Sequence, residues 1–200
     1  VPEVTKTETV AAGYLRRSAT INGETVTWKI THTEYSDDTE TNILTISGNG
    51  SIPNYWENFS TPSPTGRAPF YSLKKQFDTV VIEEGITGIG TGVFTDYTNI
   101  KKVTYSEDRV STSPEAEKII EFSDDITKIG FGAFKGCSNL EGSLVLSDNL
   151  TEIGNNAFRD CYSLTGPLCI PNTVTTVGDY AFCSCYGFDS LVIGDHVEYI

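Results

Sequence analysis

The sequence predicts a mostly β solenoid with one coil per repeat, preceded by a small antiparallel β unit. Three observations carry this reading. Ile129-Gly130-Phe131-Gly132-Ala133-Phe134, Ile153-Gly154-Asn155-Asn156-Ala157-Phe158 and Val177-Gly178-Asp179-Tyr180-Ala181-Phe182 are one phrase written at a 24-residue step, with an earlier copy at Ile89-Gly90-Thr91-Gly92-Val93-Phe94. Cys137, Cys161 and Cys185 keep the same step, as do Leu140, Leu164 and Phe188. A fixed period of this size marks a solenoid, because each repeat buries its apolar side chains only against its neighbours. The second observation is the pattern between copies: "SLVLS" (143–147), "PLCIP" (167–171) and "SLVIG" (190–194) alternate with period two, as short strands do. The third is at the front, where residues 20–52 carry hairpin signals and no repeat.

Residues 1–19 read as a leader or linker. Val1-Pro2-Glu3-Val4-Thr5 has neither a charged n-region nor an apolar h-region, as in a chain that is cytosolic or written after signal removal. Residues 20–79 read as a β cap and loop. "ATINGETVTWKI" holds an Asn22-Gly23 turn signal and "NILTISG" a second strand, a unit suited to closing the open end of a solenoid core. The acidic stretch "YSDDTETN" (35–42) lacks the Gly and terminal Glu of an EF-hand, so it reads as a solvated hairpin tip, with Ca²⁺ binding the lesser alternative. "WENFSTPSPTGRAP" (56–69), with three prolines, reads as irregular loop.

Residues 80–200 hold the repeats, five to six rungs with the last incomplete. The strand residues Ile82, Tyr105, Phe122, Leu146, Ile170 and Ile193 are separated by 23, 17, 24, 24 and 23 residues. "VTY" at 103–105 is therefore a rung of an abbreviated coil that lacks the Ile-Gly…Ala-Phe half. In its place "SPEAEK" (113–118) predicts a short exposed helix, with Ser113 as N-cap, Pro114 at the first helical position and Glu115 in the first turn. In full coils a turn such as Pro171-Asn172-Thr173 leads to a second extended piece, "VTTVG", and then to a tight 3₁₀ or helical turn. The repeated glycine marks a place where a side chain would obstruct the backbone. Phe134, Phe158 and Phe182 should form a buried column. Stacked coils give six parallel strands on one face, about 24 Å along the axis.

Composition narrows the function. Residues 80–200 contain 18 Asp/Glu against 7 Lys/Arg, a balance of −11, whereas residues 1–79 stand at −2. An acidic surface repels phosphate backbones, so nucleic acid and anionic membranes are poor partners; solubility is its plainest role. No run of about 18 apolar residues exists to span a bilayer. His32 and His196 have no Ser, Asp or Cys partner at a diagnostic spacing, so no catalytic residues are expected. "GIGTG" (88–92) resembles a phosphate loop, but the repeat explains its glycines better. Cys137, Cys161 and Cys185 should stack inside the coils as free thiols, in preference to disulfides or Zn²⁺, while Cys169 should face outward. No metal and no cofactor are expected. Asn49, Asn58 and Asn149 head Asn-x-Ser/Thr sequons.

"CSNLEGSLVLSDNLTEIGNNAFRDCYSLTGPLCIPNTVTTVGDYAFCSC" resembles the leucine-rich repeat of the BspA-like, or Treponema-type, surface proteins, through Val-x-x-Ile-Gly and Ala-Phe-x-x-Cys in order in several copies. The likeness covers residues 80–200, and "VTWKI", "ILTISGNGSIPNY" and "APFYSLKKQFDTVVIEEGITGIG" are similar to the segment leading into such arrays. Departures are Val93 in place of Ala, Tyr97 in place of Cys, and the abbreviated coil. The resemblance implies a right-handed leucine-rich-repeat coil and a secreted or cell-surface module that adheres to host extracellular-matrix or other partner proteins. A structural spacer within a larger protein or enzyme is the alternative. Strand alternation places the contact surface on the outward row Val81, Thr104, Glu121, Val145, Cys169 and Val192, flanked by Glu83, Ser123 and Ser147. A monomer is expected.

Overall fold

The computed structural model describes residues 3–14, 25–55, 67–110 and 118–199. β1 (Val4–Tyr14), β2 (Thr25–Tyr35) and β3 (Glu40–Ser51) form an antiparallel meander. β2 alternates because Val26, Trp28 and Ile30 enter the core while Thr27, Lys29 and Thr31 do not. The β2–β3 link is the expected tip: Asp38 adopts a left-handed backbone (φ 61°), and the Asp37 carboxylate accepts from the Thr39 amide and hydroxyl at 3.2 and 2.6 Å. The Asn22-Gly23 turn lies outside the described residues.

β1 overturns the reading of residues 1–19 as a leader. "VTKTETV" has the period of a strand, yet Thr, Lys and Glu leave both faces polar, so no apolar stripe announced it. The strand is held by its ladder to β2, by a 3.2 Å hydrogen bond between the Thr7 and Thr33 hydroxyls, and by the Thr5 hydroxyl donating to the Glu34 carbonyl at 3.0 Å.

β3 belongs to meander and coils alike. Its residues Ile43–Ile46 pair in parallel with β4 (Thr79–Ile82), and Gly50 and Ser51 pair with β5 (Ile86–Ile89). The coils continue as β6 (Lys102–Thr104), β7 (Ile119–Glu121), β8 (Lys128–Ile129), β9 (Gly142–Val145), β10 (Glu152–Ile153), β11 (Leu164–Ile170), β12 (Thr176–Val177) and β13 (Gly187–Ile193). One side carries the parallel groups β3-β4-β6 and β7-β9-β11-β13; the second side is β3-β5-β8-β10-β12. The abbreviated coil is visible in the register, since Gly88 and Ile89 pair directly with Lys128 and Ile129. The rung of β6 thus adds to one side only. That wedge divides the six parallel strands into two hydrogen-bonded groups where one continuous sheet was expected.

The helix predicted at 113–118 falls on the undescribed segment 111–117. Ahead of it Glu107–Arg109 form a 3₁₀ turn, capped by the Ser106 hydroxyl, which accepts from the Asp108 amide at 3.3 Å.

The third side of each coil is the tight turn after the repeated glycine. The Gly132, Phe134 and Gly136 amides donate to the carbonyls of Asn155, Ala157 and Arg159 in the next coil, and the Asn156, Phe158 and Asp160 amides continue the pattern. The repeated glycine itself is required by close approach: a Cβ on Gly154 would stand 2.6 Å from the Phe131 nitrogen, and one on Gly178 2.3 Å from that of Asn155.

Inside, Phe94, Phe134, Phe158 and Phe182 stack with centroids 5.2, 5.3 and 5.5 Å apart. The first three are fully buried; Phe182, in the outermost described coil, is half-buried. Phe70 extends the column from the cap, stacked on Phe94 at 5.8 Å and edge-on to Trp28. The expected thiol ladder has a hydrogen-bonding role: Cys137, Cys161 and Cys185 donate to the carbonyls of Phe94, Phe134 and Phe158 at 3.2, 3.2 and 3.1 Å. All five cysteines are free. Burial pushes the Cys137 and Cys161 thiols far up, and that of Cys185 up to about 12.

Candidate functional site

The outward side chains of the strands form one row across the sheets. The register aligns Lys29 with Thr45, Thr45 with Val81, and Val81 with Thr104; beyond the division it aligns Glu121 with Val145, and Cys169 with Val192. The structure splits this row. Val145 and Val192 are 49% and 58% exposed, and Cys169 is exposed beside them. Val81, Thr104 and Glu121, expected on the same open surface, are buried, as are the flanking Ser123 and Ser147; Glu83 is half-buried.

The cover over the first half is the segment 106–110. Glu107 reaches back past β6 and β4, accepts from the Thr45 hydroxyl at 2.8 Å, and pairs with Lys29 at 3.1 Å. Arg109 reaches the other way and grips Glu121 through Nε and through Nη2, the latter at 2.8 Å. The Thr104 hydroxyl donates to the same carboxylate at 2.9 Å, bridging β6 to β7 where their ladder is broken. Lys102 Nζ donates to the Arg109 carbonyl at 2.7 Å, and the Arg109 guanidinium lies over the Tyr105 ring. Burial works against ionisation of Glu121, but the hydrogen bonds from Arg109 and Thr104 outweigh it and hold the carboxyl below the usual range. Fork-to-carboxylate geometry of this kind is the strong form of ion pair. The cover is thus a charged clasp, alternating Lys29, Glu107, Arg109 and Glu121.

Sequence reasoning missed the clasp because strand alternation gives direction, not what lies above a strand. One signal was present: Glu121 breaks an outward series otherwise of Val, Thr and Cys, and Glu107 and Arg109 sit in the coil that lacks its second half.

The remaining candidates are placed as follows. His32 hydrogen-bonds Asn42 Oδ1 at 2.8 Å and Glu34 at 3.3 Å, and the Asn42 contact leads in raising its basicity. His196 contacts the Asn172 carbonyl at 2.8 Å. The Asn149 side-chain Nδ2 donates to the Asp124 carbonyl at 2.9 Å, and Asn58 lies outside the described residues. Among the described residues no three His, Cys, Asp or Glu side chains gather as a metal set, and no helix is long and apolar enough to cross a membrane.

Comparison with known proteins adds the following. The family model described as the BspA type leucine rich repeat region matches residues 63–116 and 112–200, in six copies. A leucine-rich repeat protein from Eubacterium ventriosum is similar in structure, with a TM-score of 0.57 and 22% identity. The match covers 95% of this chain and 40% of that one, so the chain spans less than half the length of its structural neighbour. No curated protein matches the chain.

Proposed function

From the premise that the chain belongs to the BspA type leucine rich repeat family, we propose that it is a non-catalytic protein-binding module of a secreted or cell-surface protein, whose contact surface is the open half of the outward row. Val145, Cys169 and Val192 are the residues that touch the partner. The observation that supports this reading is the contrast within the row: the polar half lies under a charged clasp, and the apolar half stands in water. Exposed apolar side chains grouped on a rigid sheet mark contact surfaces more often than neutral ones. The side chains of a sheet surface suit a protein or glycan-bearing protein surface better than a small metabolite, which needs a concave site. The resemblance points to a host extracellular-matrix or surface protein.

The test is binding of the chain to immobilised matrix proteins, compared with the Val145→Lys/Val192→Lys variant. Neither side chain enters the core, so the variant should keep its thermal midpoint and lose binding by about tenfold or more. Unchanged binding by the folded variant would move the site elsewhere. The second reading, a spacer that presents other domains, is supported by the continuous stack of rings and by a structural neighbour much longer than this chain.

A further inference from the structure

β1 is the outermost strand of its sheet, and among the described residues no strand pairs with its far edge. Such an edge presents alternate backbone N–H and C=O groups to any extended chain that fits it. We propose that the occupant is β1 of a second copy, running antiparallel about a two-fold axis through Thr7, so that two meanders join into one sheet.

The argument is the strand's own complementarity. A two-fold contact requires that if residue i meets j, then j meets i. About Thr7, Lys6 falls opposite Glu8 of the second copy and Glu8 opposite its Lys6, while Thr5 meets Thr9. The neighbouring registers that keep the same faces together are centred on Lys6 or on Glu8, and each would set like charges directly opposite one another. Only the Thr7 register makes both charged pairs attractive. Lys6 and Glu8 are half-exposed and lie on one face, with Lys6 Nζ 3.2 Å from Glu8 and 3.8 Å from Glu34.

Irregularities in β1 set the length of the contact. The pairing with β2 shifts register between Val4 and Lys6 and again between Thr9 and Ala11, so a regular stretch centred near Thr7 is bracketed by bulges. Bulged edges resist long strand addition, which favours a short contact in one register over open-ended aggregation. A contact of this length is smaller than the roughly 1,200–2,000 Å² of standard stable interfaces, so the dimer is weak and concentration-dependent.

Sedimentation equilibrium of the whole chain from about 10 µM to about 1 mM, the range where weak contacts titrate, tests the proposal with charge reversals. The wild-type mass should rise towards that of a dimer. Lys6→Glu alone and Glu8→Lys alone each create two repulsive pairs across the axis and should weaken association on the order of tenfold or more. An equimolar mixture of the two variants should associate again, because one strand then carries two carboxylates and the other two ammonium groups. A wild type that stays monomeric throughout, single variants that associate as well as wild type, or a mixture no better than its components each overturns the proposal. Should a variant misfold, Thr7→Cys in a Cys169→Ser background is the second measurement, since facing strand residues lie within disulfide reach. Mild oxidation should yield a covalent dimer with Thr7→Cys and little with Lys29→Cys; equal yields overturn the register.

Discussion

Replacing Phe158 with Ala is the sharpest probe of the coil. Phe158 is fully buried between Phe134 and Phe182, with centroids 5.3 and 5.5 Å away and rings 6° and 3° from parallel. Truncating a buried Phe costs about 3–5 kcal/mol, and a stacked partner is lost on each side. In a domain of this size each kcal/mol moves the thermal midpoint by about 2–4 °C, so a fall of roughly 6–20 °C is expected. The damage should spread by one coil in each direction, because the Phe158 amide donates to Ala181 and its carbonyl receives the Cys185 thiol, while the Phe134 amide donates to Ala157. Hydrogen exchange should therefore quicken at residues 131–137 and 179–185, and much less in β2. Phe182→Ala is the internal control: half-buried and stacked on one face, it should cost about half as much. A midpoint that moves by less than about 2 °C in Phe158→Ala, or two variants of equal cost, would refute the reasoning that each ring is held by a ring on either side.

Gly154→Ala should destabilise by about 1–3 kcal/mol in chemical denaturation, since the added Cβ meets backbone of the preceding coil that cannot move aside; a neutral change would refute the close-approach argument. Under native conditions a maleimide should modify Cys169 rapidly, Cys185 slowly, and Cys137 and Cys161 only on unfolding, in keeping with exposure and with thiols that burial keeps protonated. Glu121 has a lowered native pKa, so its contribution is complete above the value of a free Glu, about 4.3, and is lost as pH falls through the lowered native value. Exchange of the 106–110 amides should quicken on that acid side, and Glu121→Gln should quicken it already at neutral pH; an unchanged profile would show that the clasp does not hold the segment. Phe70→Ala should loosen β2 and the Phe94 turn together, because one ring touches Trp28 and Phe94.

The coil was legible because its determinants are periodic. A ring, a small residue and a thiol at a 24-residue step fix which side chains lie inside, and the 17-residue gap between strand residues marks the missing half-coil in the sequence itself. What stayed hidden depends on contacts between segments with no common period. β1 gave no apolar stripe, and its pairing with β2 is visible only once the two are side by side. The stack of Phe70 on Phe94 joins residues of different units. Half of the outward row was misplaced for the same reason: strand alternation says that Val81, Thr104 and Glu121 point away from the core, which they do, but not that Glu107 and Arg109 fold over them.

The missing half-coil and the covered half-row are consequences of one event. A full repeat uses its residues after the first strand to build the second-side strand and the tight turn, and nothing is left to fold outward. The coil of β6 builds neither, as the direct pairing of Gly88 with Lys128 shows, so residues 106–110 are free to turn back across Thr104, Val81 and Thr45. Such a segment needs fixing, because β6 and β7 share no ladder, and an unpaired carboxylate on that face would carry a high desolvation cost. Arg109 and Thr104 supply both the pairing and the bridge. The open strip begins at Val145, the first outward position after the full 24-residue step resumes, because the coils of β9 and β11 both complete their tight turns and neither has chain to spare for a cover.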